Sequence, residues 1–306
     1  MSVRTLTIYN VGGTGLNRGV AFDDKAIGAM SAAIVRYYID SSESDRTDQI
    51  SDDQLFLIPG LKGSGQDRAT AWRAASPHIA EILNRFPPSD VNLVNYSLCG
   101  GTGAAVGPML SAAIYRSGKA VINQVLESTA TLPFATNTFQ TYQTMLGLAR
   151  KHEVPFATMP LFQHVSGQDD KVNAAFDINV ENLRILMSES NHGMDDKDVI
   201  NFLRYPVKTG LQASVVQLVI GGNRMKFQDS YKGKLITQAN IIKKAGSDVP
   251  MTGATFEITG ISTDPAIYGS NDDVDGIYYG ITGAKIRSRL ADLKAAMENL
   301  TRERDA

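Results

Sequence analysis

The amino-acid sequence predicts an α/β fold in which a parallel sheet, a long central helix and a second α+β domain follow one another. In the first half, short apolar and β-branched runs alternate with longer segments of helical periodicity, as in a parallel sheet covered by helices. Apolar positions at helical spacing then run through residues 172–188, and further strand-like runs follow them. The chain of 306 residues is also long enough for two packed domains.

Six strands are predicted in the first half, at residues 6–9, 33–38, 55–58, 91–96, 120–126 and 156–159. Several of these strands stop at glycine or polar clusters. Ligands of open α/β sheets bind at this carboxyl edge, so the clusters are the first candidates for a site.

The central helix, predicted at residues 172–188, is long enough to bridge two domains. Beyond it, strands of a second sheet are predicted at residues 214–220, 256–261 and 277–282, with a helix at residues 236–244 between them. The chain ends in a polar helix with an apolar stripe, formed by Ile286, Leu290, Leu293, Met297 and Leu300. This stripe either packs on its own domain or receives a partner.

Composition indicates a globular protein and excludes several classes. Hydrophobic residues make up 43% of the chain and charged residues 20%, which argues against disorder. The formal net charge of -2 leaves no basic footprint, so direct binding of nucleic acid is not expected. No apolar run approaches the roughly 18 residues of a membrane span, and residues 1–10 lack a signal-peptide pattern. Neither membrane insertion nor secretion is expected.

Cysteine and histidine usage indicates a reduced, cytoplasmic protein. The single cysteine, Cys99, cannot form an internal disulfide, and the four histidines are scattered along the chain. These residues make no metal-ligand cluster in the sequence.

Three glycine-rich loops suit a polyphosphate. VGGTGLN at residues 11–17 follows the first predicted strand, and SLCGGTGAA at residues 97–105 follows the fourth; a helical pattern comes after each. Glycine lets the backbone approach an anion, and a helix N-terminus offers free N–H groups with a partial positive charge. One terminus contributes only about 0.3–1 kcal/mol at an exposed site, so several loops are needed. IPGLKGSGQ at residues 58–66 is the third, with Ser64 for a terminal phosphate.

Other interpretations of these loops stay open on the residues alone. Each loop is compatible with a simple strand-to-helix or surface turn. No Walker motif occurs, and the dinucleotide fingerprint that begins at Gly13 and Gly15 meets Arg18 where its third glycine belongs. Asp40, at the end of the second predicted strand, still allows a nicotinamide-dependent oxidoreductase that holds a ribose there, although an exposed loop carboxylate is the simpler interpretation.

The second loop carries a family resemblance. Its residues 100–103, GGTG, match the core of the tubulin/FtsZ signature GGGTG[ST]G, with Cys99 in place of the first glycine and Ala104 and Ala105 in place of the last two positions. The flanking residues in 97–108 are most similar to the phage-encoded tubulins (PhuZ), and the first loop is similar to the opening loop of the family. The resemblance extends to about residue 300.

The resemblance implies a tubulin/FtsZ fold with a Rossmann-like GTPase domain at residues 1–170 and a central linking helix at 171–190. A catalytic loop and second α+β domain would occupy 191–285, and a C-terminal helix and tail 286–306. The implied cofactors are GTP or GDP with Mg²⁺. The residues that it assigns to the nucleotide are Gly12, Gly13, Thr14, Gly15, Asn17, Gly63, Ser64, Cys99, Gly100, Gly101, Thr102, Gly103, Asn137, Asn173 and Phe176.

Within this set, the resemblance assigns Asn137 to the ribose region and Asn173 or Phe176 to the base. Phe176 is equally compatible with ordinary helix packing. Asp195 and Asp198, after the central helix, match the spaced acidic pair of the family's catalytic loop. On the residues alone, aspartates here would be explained by the positive end of a helix.

The implied function is that of a GTP-dependent cytoskeletal filament whose main partner is itself. Asp195 and Asp198 of one subunit would complete the GTPase site of the next, and an open head-to-tail contact yields a filament. The phage resemblance implies the positioning of phage components in the host bacterial cytoplasm, with a phage capsid or a nucleus-like structure as cargo. A filament protein that binds nucleotide structurally, with negligible hydrolysis, is the alternative that the altered signature permits.

Overall fold

The computed structural model describes residues 4–22, 32–163, 169–189, 191–231, 234–250, 252–268 and 273–305. Its strands are β1 (Thr5–Val11), β2 (Ala33–Asp40), β3 (Leu55–Leu57), β4 (Val91–Ser97), β5 (Ala120–Ser128), β6 (Phe156–Gln163), β7 (Val215–Gly221), β8 (Thr237–Ile242), β9 (Phe256–Ile261) and β10 (Gly276–Thr282). Its helices are α1 (Gly12–Ala21), α2 (Arg68–Ala75), α3 (Ile79–Arg85), α4 (Thr102–Arg116), α5 (Leu132–His152), α6 (Asp169–Leu186), α7 (Asp196–Leu203), α8 (Tyr205–Thr209), α9 (Arg224–Ser230), α10 (Pro265–Tyr268) and α11 (Ala284–Asp305).

The strands form one ten-stranded sheet in the order β3-β2-β1-β4-β5-β6-β7-β10-β8-β9. Neighbours are parallel from β3 to β7, β10 is antiparallel to both of its neighbours, and β8 and β9 are parallel. Val11 at the end of β1 lies opposite Ile39 of β2 and Tyr96 of β4. The carboxyl ends of these strands therefore meet at one edge, and the predicted α/β fold class is confirmed.

Two sequence-based predictions about the second half are wrong. The strands after the central helix form no separate sheet, because β7 pairs with β6 in a register that sets Phe156 opposite Val215. The helix predicted at residues 236–244 is largely strand β8, and every residue of β8 is buried. A strand covered on both faces is a continuous buried run, which periodicity does not distinguish from a buried helix.

Helices cover both faces of the sheet. On one face, α6 and α7 pack a core that includes Phe176, Val180 and Phe202. On the other face, α3, α4, α5 and α11 pack a second core around Tyr96 and Tyr142. The sheet is thus enclosed, and its carboxyl edge remains for a site.

The central and terminal helices agree with their predicted places. The central helix α6 is Asp169–Leu186, against a predicted span of 172–188. On α11, Ile286 and Leu293 are buried in the core of the chain itself and Leu290 packs against it, so the first part of the apolar stripe packs on its own fold. The division of the chain into four domains stays a prediction. No helix in the described ranges is both long and apolar enough to cross a membrane.

Candidate functional site

A cleft opens at the carboxyl edge of the sheet, beyond the ends of β1 to β4. It contains about 700 Å³ of empty space, part of which is open to solvent. Its walls come from the loops after these strands, with lining residues at 11–14, 40–42, 44–45, 63–66, 97 and 100–103. The three glycine-rich loops therefore meet in one place, as the parallel strand pattern predicts.

The helices α1 and α4 both begin in this cleft, and neither N-terminus is capped. The N-cap residues Val11 and Gly101 provide no side-chain hydrogen bond, and no acidic residue lies in either first turn. Other helices carry a side-chain cap, for example α2 with Asp67 and α9 with Asn223, although α3 and α8 also begin without one. Uncapped termini present free N–H donors and partial positive charge, which suit an anion.

The first two loops touch each other at glycine. Gly12 has a φ of +72°, and a Cβ atom at this position would lie 2.8 Å from the backbone nitrogen of Gly103. A side chain at Gly12 would therefore push the loops apart as well as strain the backbone. The two helix termini form a single cradle.

The third loop closes one side of the cradle. Its Gly63 N–H donates to the Ser41 carbonyl at 2.9 Å. The Ser64 hydroxyl lies directly over the Cα atom of Gly101, where a side chain on Gly101 would clash with it. The hydroxyl of Ser41 lies 2.6 Å from the hydroxyl of Thr102. Ser41 was not among the residues predicted from the sequence. Hydroxyl groups from three loops thus line the cleft.

Asp40 and Asp45 place two carboxylates on the same wall. Asp40 is only 3% exposed, so its interpretation as an exposed loop carboxylate is wrong. Its Oδ1 accepts from the Ser41 N–H at 2.7 Å, whereas its buried Oδ2 has no hydrogen-bond partner among the described residues. Asp45 lies against Gly13. Burial, and secondarily the charge of Asp45, raises the pKa of Asp40 to about 6.

This carboxylate wall suits a hard cation that also binds phosphate. Mg²⁺ is usually held by one or two carboxylates together with phosphate oxygens and water. Across the described ranges, no group of three or more Asp, Glu, His or Cys side chains is arranged to hold a metal alone. A cation here would therefore depend on oxygens of a bound ligand.

Cys99 contributes its backbone to the second loop and turns its side chain inward. The sulfur lies 3.0 Å from the Ser97 hydroxyl, and burial raises the pKa of the thiol. The Cys99 carbonyl accepts from the Asn137 amide at 3.0 Å, and the same amide reaches the Gln66 carbonyl at 3.5 Å. Asn137 thus braces the second loop against the third, and the lining of the cleft does not include it.

The predicted base contacts lie where α6 meets α1. Asn173 accepts a hydrogen bond from the Arg18 guanidinium, which joins the two helices. Phe176 is only 1% exposed and meets Phe22 edge-on at 6.0 Å, so its ring is a core contact and has no free face for a base. Asn17 is exposed on α1, outside the lining of the cleft.

Asp195 and Asp198 lie at the start of α7 and form a capping box. The Asp198 N–H donates to Asp195 Oδ1 at 2.9 Å, and the Asp195 N–H donates to Asp198 Oδ2 at 3.2 Å. The helix-start interpretation is therefore correct in structural terms. Asp195 remains exposed and Asp198 is partly exposed, so a second molecule can reach both carboxylates.

The acidic pair and the cleft lie at opposite edges of the sheet. Asp196, between the two acids, forms an ion pair with Arg4, which immediately precedes β1. The cleft begins at the other end of β1, and the seven residues of this strand span about 23 Å at a rise of about 3.3 Å each. One subunit cannot bring the acidic pair to its own cleft.

Known family models do not match the chain, but individual proteins do. A phage tubulin-like protein of Pseudomonas phage PhiPA3 is 23% identical over 307 residues, covering 98% of this chain and 91% of the relative. A phage tubulin-like protein of Pseudomonas phage phiKZ is 25% identical over 276 residues, covering 85% of this chain and 82% of the relative.

Solved structures match over nearly the whole chain. The protofilament of TubZ from bacteriophage PhiKZ has a TM-score of 0.87 and 25% identity, covering 99% of this chain and 93% of that one. The phage tubulin PhuZ with GDP has a TM-score of 0.86 and 19% identity, with the same coverage. An FtsZ from M. jannaschii has a TM-score of 0.67 and 15% identity, covering 92% and 91%. The chain has the fold that these structures share.

Proposed function

We propose that the chain is a GTP-dependent, filament-forming GTPase, from the premise that it belongs to the tubulin/FtsZ superfamily and is similar to its phage members. The observation that carries this proposal is the separation of the phosphate cradle and the acidic pair to opposite edges of one sheet. Two half-sites at opposite edges form a complete site only between subunits that stack head to tail. A relative's protofilament structure supports such stacking.

The nucleotide would bind with its phosphates on the uncapped starts of α1 and α4. Backbone amides of Gly12 to Thr14 and Gly100 to Gly103 would face the phosphates, with the hydroxyls of Ser64 and Thr102 toward the terminal one. The base would lie toward Asn173, where α6 meets α1. A relative's structure with GDP supports a guanine nucleotide.

Mg²⁺ would bind between the phosphates and the wall formed by Asp40 and Asp45. The unpartnered, buried Oδ2 of Asp40 fits this role, because a bound cation offsets the burial of its charge. When bound, Mg²⁺ neutralises phosphate charge. With its pKa raised to about 6, Asp40 is mainly ionised at neutral pH and available as a ligand.

Hydrolysis would begin when a second subunit brings Asp195 and Asp198 to the cleft. Their carboxylates would orient the attacking water and accept its proton, a contribution typically of about 10²–10⁴-fold. The remaining acceleration would come from stabilisation of the phosphate charge by the cradle. Because the contact joins different faces of two subunits, it repeats without closing and yields a filament.

Phosphate release from GTP, measured against protein concentration with light scattering in the same cuvette, tests this proposal. We expect one threshold concentration for both signals. Hydrolysis in proportion to protein without scattering would indicate a self-contained enzyme, and scattering without hydrolysis would indicate a structural nucleotide binder. The oxidoreductase alternative requires that the monomer binds NAD, and calorimetric titration with NAD below the assembly concentration tests it.

In an infected cell, the filament would position phage components, with a capsid or a nucleus-like structure as cargo in the host cytoplasm. The support for this role is the similarity to phage tubulin-like proteins. Fluorescence microscopy of infected cells that express a labelled chain tests it. Filaments that do not contact either component would contradict the cargo role and leave the GTPase proposal intact.

A further inference from the structure

Arg4 joins three parts of the chain at the amino edge of the sheet. Its side chain is 17% exposed and precedes β1. One guanidinium nitrogen donates to the carbonyls of Met187 and Ser188, at 3.0 and 3.2 Å, directly after the central helix α6. Another forms an ion pair with the carboxylate of Asp196, in the first turn of α7.

This turn carries the acidic pair. Asp195 precedes Asp196 as the N-cap of α7, and Asp198 follows in the same turn. The capping box fixes the two acids relative to each other, but both of its hydrogen bonds stay within the turn. The Arg4–Asp196 contact, in contrast, ties the turn to the sheet and to the end of α6.

The chemistry of arginine suits such a junction. The planar guanidinium presents several N–H donors in fixed directions, so one side chain can hold two carbonyls and a carboxylate at once. A lysine at this position would keep the charge but offer a single nitrogen. Arg4 and Asp196 line a second cavity, distinct from the cleft, and the charged residues Asp90 and Lys119 line it too.

We propose that Arg4 is a positioning residue for GTP hydrolysis, which holds the first turn of α7 so that Asp195 and Asp198 meet the nucleotide of the next subunit in a fixed orientation. This inference rests on the proposed function. Arg4 acts through this turn and does not itself touch the nucleotide. A misplacement of about 1 Å can cost about 10²-fold in rate, so the loss of this tie is expected to act on turnover.

The same cavity supplies a matched control. Lys119 forms an ion pair with Asp90 at 2.6 Å, also at the amino edge of the sheet, but neither residue belongs to α6 or α7. Lys119→Met therefore removes a cation from the same cavity without releasing the acidic turn. A general effect of charge or stability at this edge would appear in both variants.

The experiment measures GTP affinity of the monomer, the critical concentration, and phosphate release per polymerised subunit after sedimentation. For Arg4→Met we expect turnover per polymerised subunit to fall about 10- to 100-fold, with GTP affinity unchanged. Arg4→Lys should restore part of the turnover, and Lys119→Met should match the wild type. Asp196→Asn should lower turnover in the same direction as Arg4→Met, and the double variant should be no slower than the slower single variant.

Two results would overturn the inference: wild-type turnover in Arg4→Met polymers, or an equal loss in Lys119→Met polymers. If Arg4→Met does not fold or assemble, Asp196→Asn decides, because it keeps the shape of the side chain; wild-type turnover of its polymers would overturn the inference too. If wild-type polymers release no phosphate, the proposed function itself fails, which is a different observation.

Discussion

Gly12 is the position at which the two phosphate loops touch, and Gly12→Ala is the sharpest test of the cradle. The residue has a φ of +72°, and an added Cβ atom would lie 2.8 Å from the backbone nitrogen of Gly103. The substitution therefore adds backbone strain and a steric contact together. The contact is with backbone rather than with a flexible side chain, so it is relieved only if the loops separate.

The two costs can be estimated separately. A left-handed backbone conformation costs an alanine about 1–2 kcal/mol. Forcing an extra methyl group into a packed contact typically costs about 1–3 kcal/mol. If the loops separate to relieve the contact, nucleotide binding must close the cradle again at this steric cost. The affinity for GTP then falls about 5- to 140-fold.

Two other glycines serve as controls, one with the backbone strain alone and one with neither the strain nor the contact. Gly60 has a φ of +80° but nothing within 4 Å of its added Cβ atom, so Gly60→Ala carries the strain without the contact. Gly147, on α5, has open space around it and no left-handed backbone, so Gly147→Ala should stabilise the fold by about 0.5–1 kcal/mol. Urea unfolding gives the stability of each variant.

GTP affinity is measured with a fluorescent GTP analogue below the assembly concentration. We expect Gly12→Ala to bind more weakly than the wild type, and Gly60→Ala and Gly147→Ala to bind as the wild type does. Wild-type affinity in a folded Gly12→Ala protein would refute the assignment of the cradle, because the contact between the loops would then have no bearing on the nucleotide.

Three further predictions concern other charged groups. Arg289→Met leaves the fully buried Glu127 without the ion pair that it makes at 2.5 Å and should cost about 3–5 kcal/mol in urea unfolding, whereas the exposed Arg304→Met should cost less than about 1 kcal/mol. Burial raises the pKa of Asp40 from 3.8 to about 6, so the folded state binds a proton that the unfolded state has already lost. The nucleotide-free protein should therefore lose stability as pH rises from about 4 to 6. Asp40→Asn should flatten this dependence of stability on pH, and an unchanged dependence would contradict the burial. Asp198→Ala should leave GTP affinity intact and slow phosphate release by about 10²–10⁴-fold, giving longer-lived filaments by light scattering, and normal release by assembled protein would remove this residue from the mechanism.

Local patterns were enough to predict the main elements that support the site. The glycine-rich runs at residues 11–17 and 97–105 follow buried strands directly, and the structure places both at the starts of helices in one cleft. The period of apolar residues predicts the central helix within three residues at each end, against the observed Asp169–Leu186. Such features depend on neighbours along the chain, so a single sequence carries them.

Contacts between distant segments were not accessible in this way. Asp40 has the sequence context of a loop carboxylate, and only the loops packed around it make it 3% exposed and raise its pKa. Phe176 has the position of a base contact, yet it is buried in the core and its ring meets that of Phe22 nearly at right angles. Asn137 likewise lies behind the second loop, held by the Cys99 carbonyl.

By itself, the sequence determined the α/β class, the glycine-rich loops and the central helix, because each is a local pattern of glycine or periodicity, whereas Asp195 and Asp198 were singled out by the family resemblance. Only the tertiary structure decided that β7 extends the first sheet and that Asp40 is buried. It also decided that Arg4 meets Asp196 at the edge opposite the cleft. Pairing and burial join segments far apart in the chain, and their energies depend on geometry that no local pattern records.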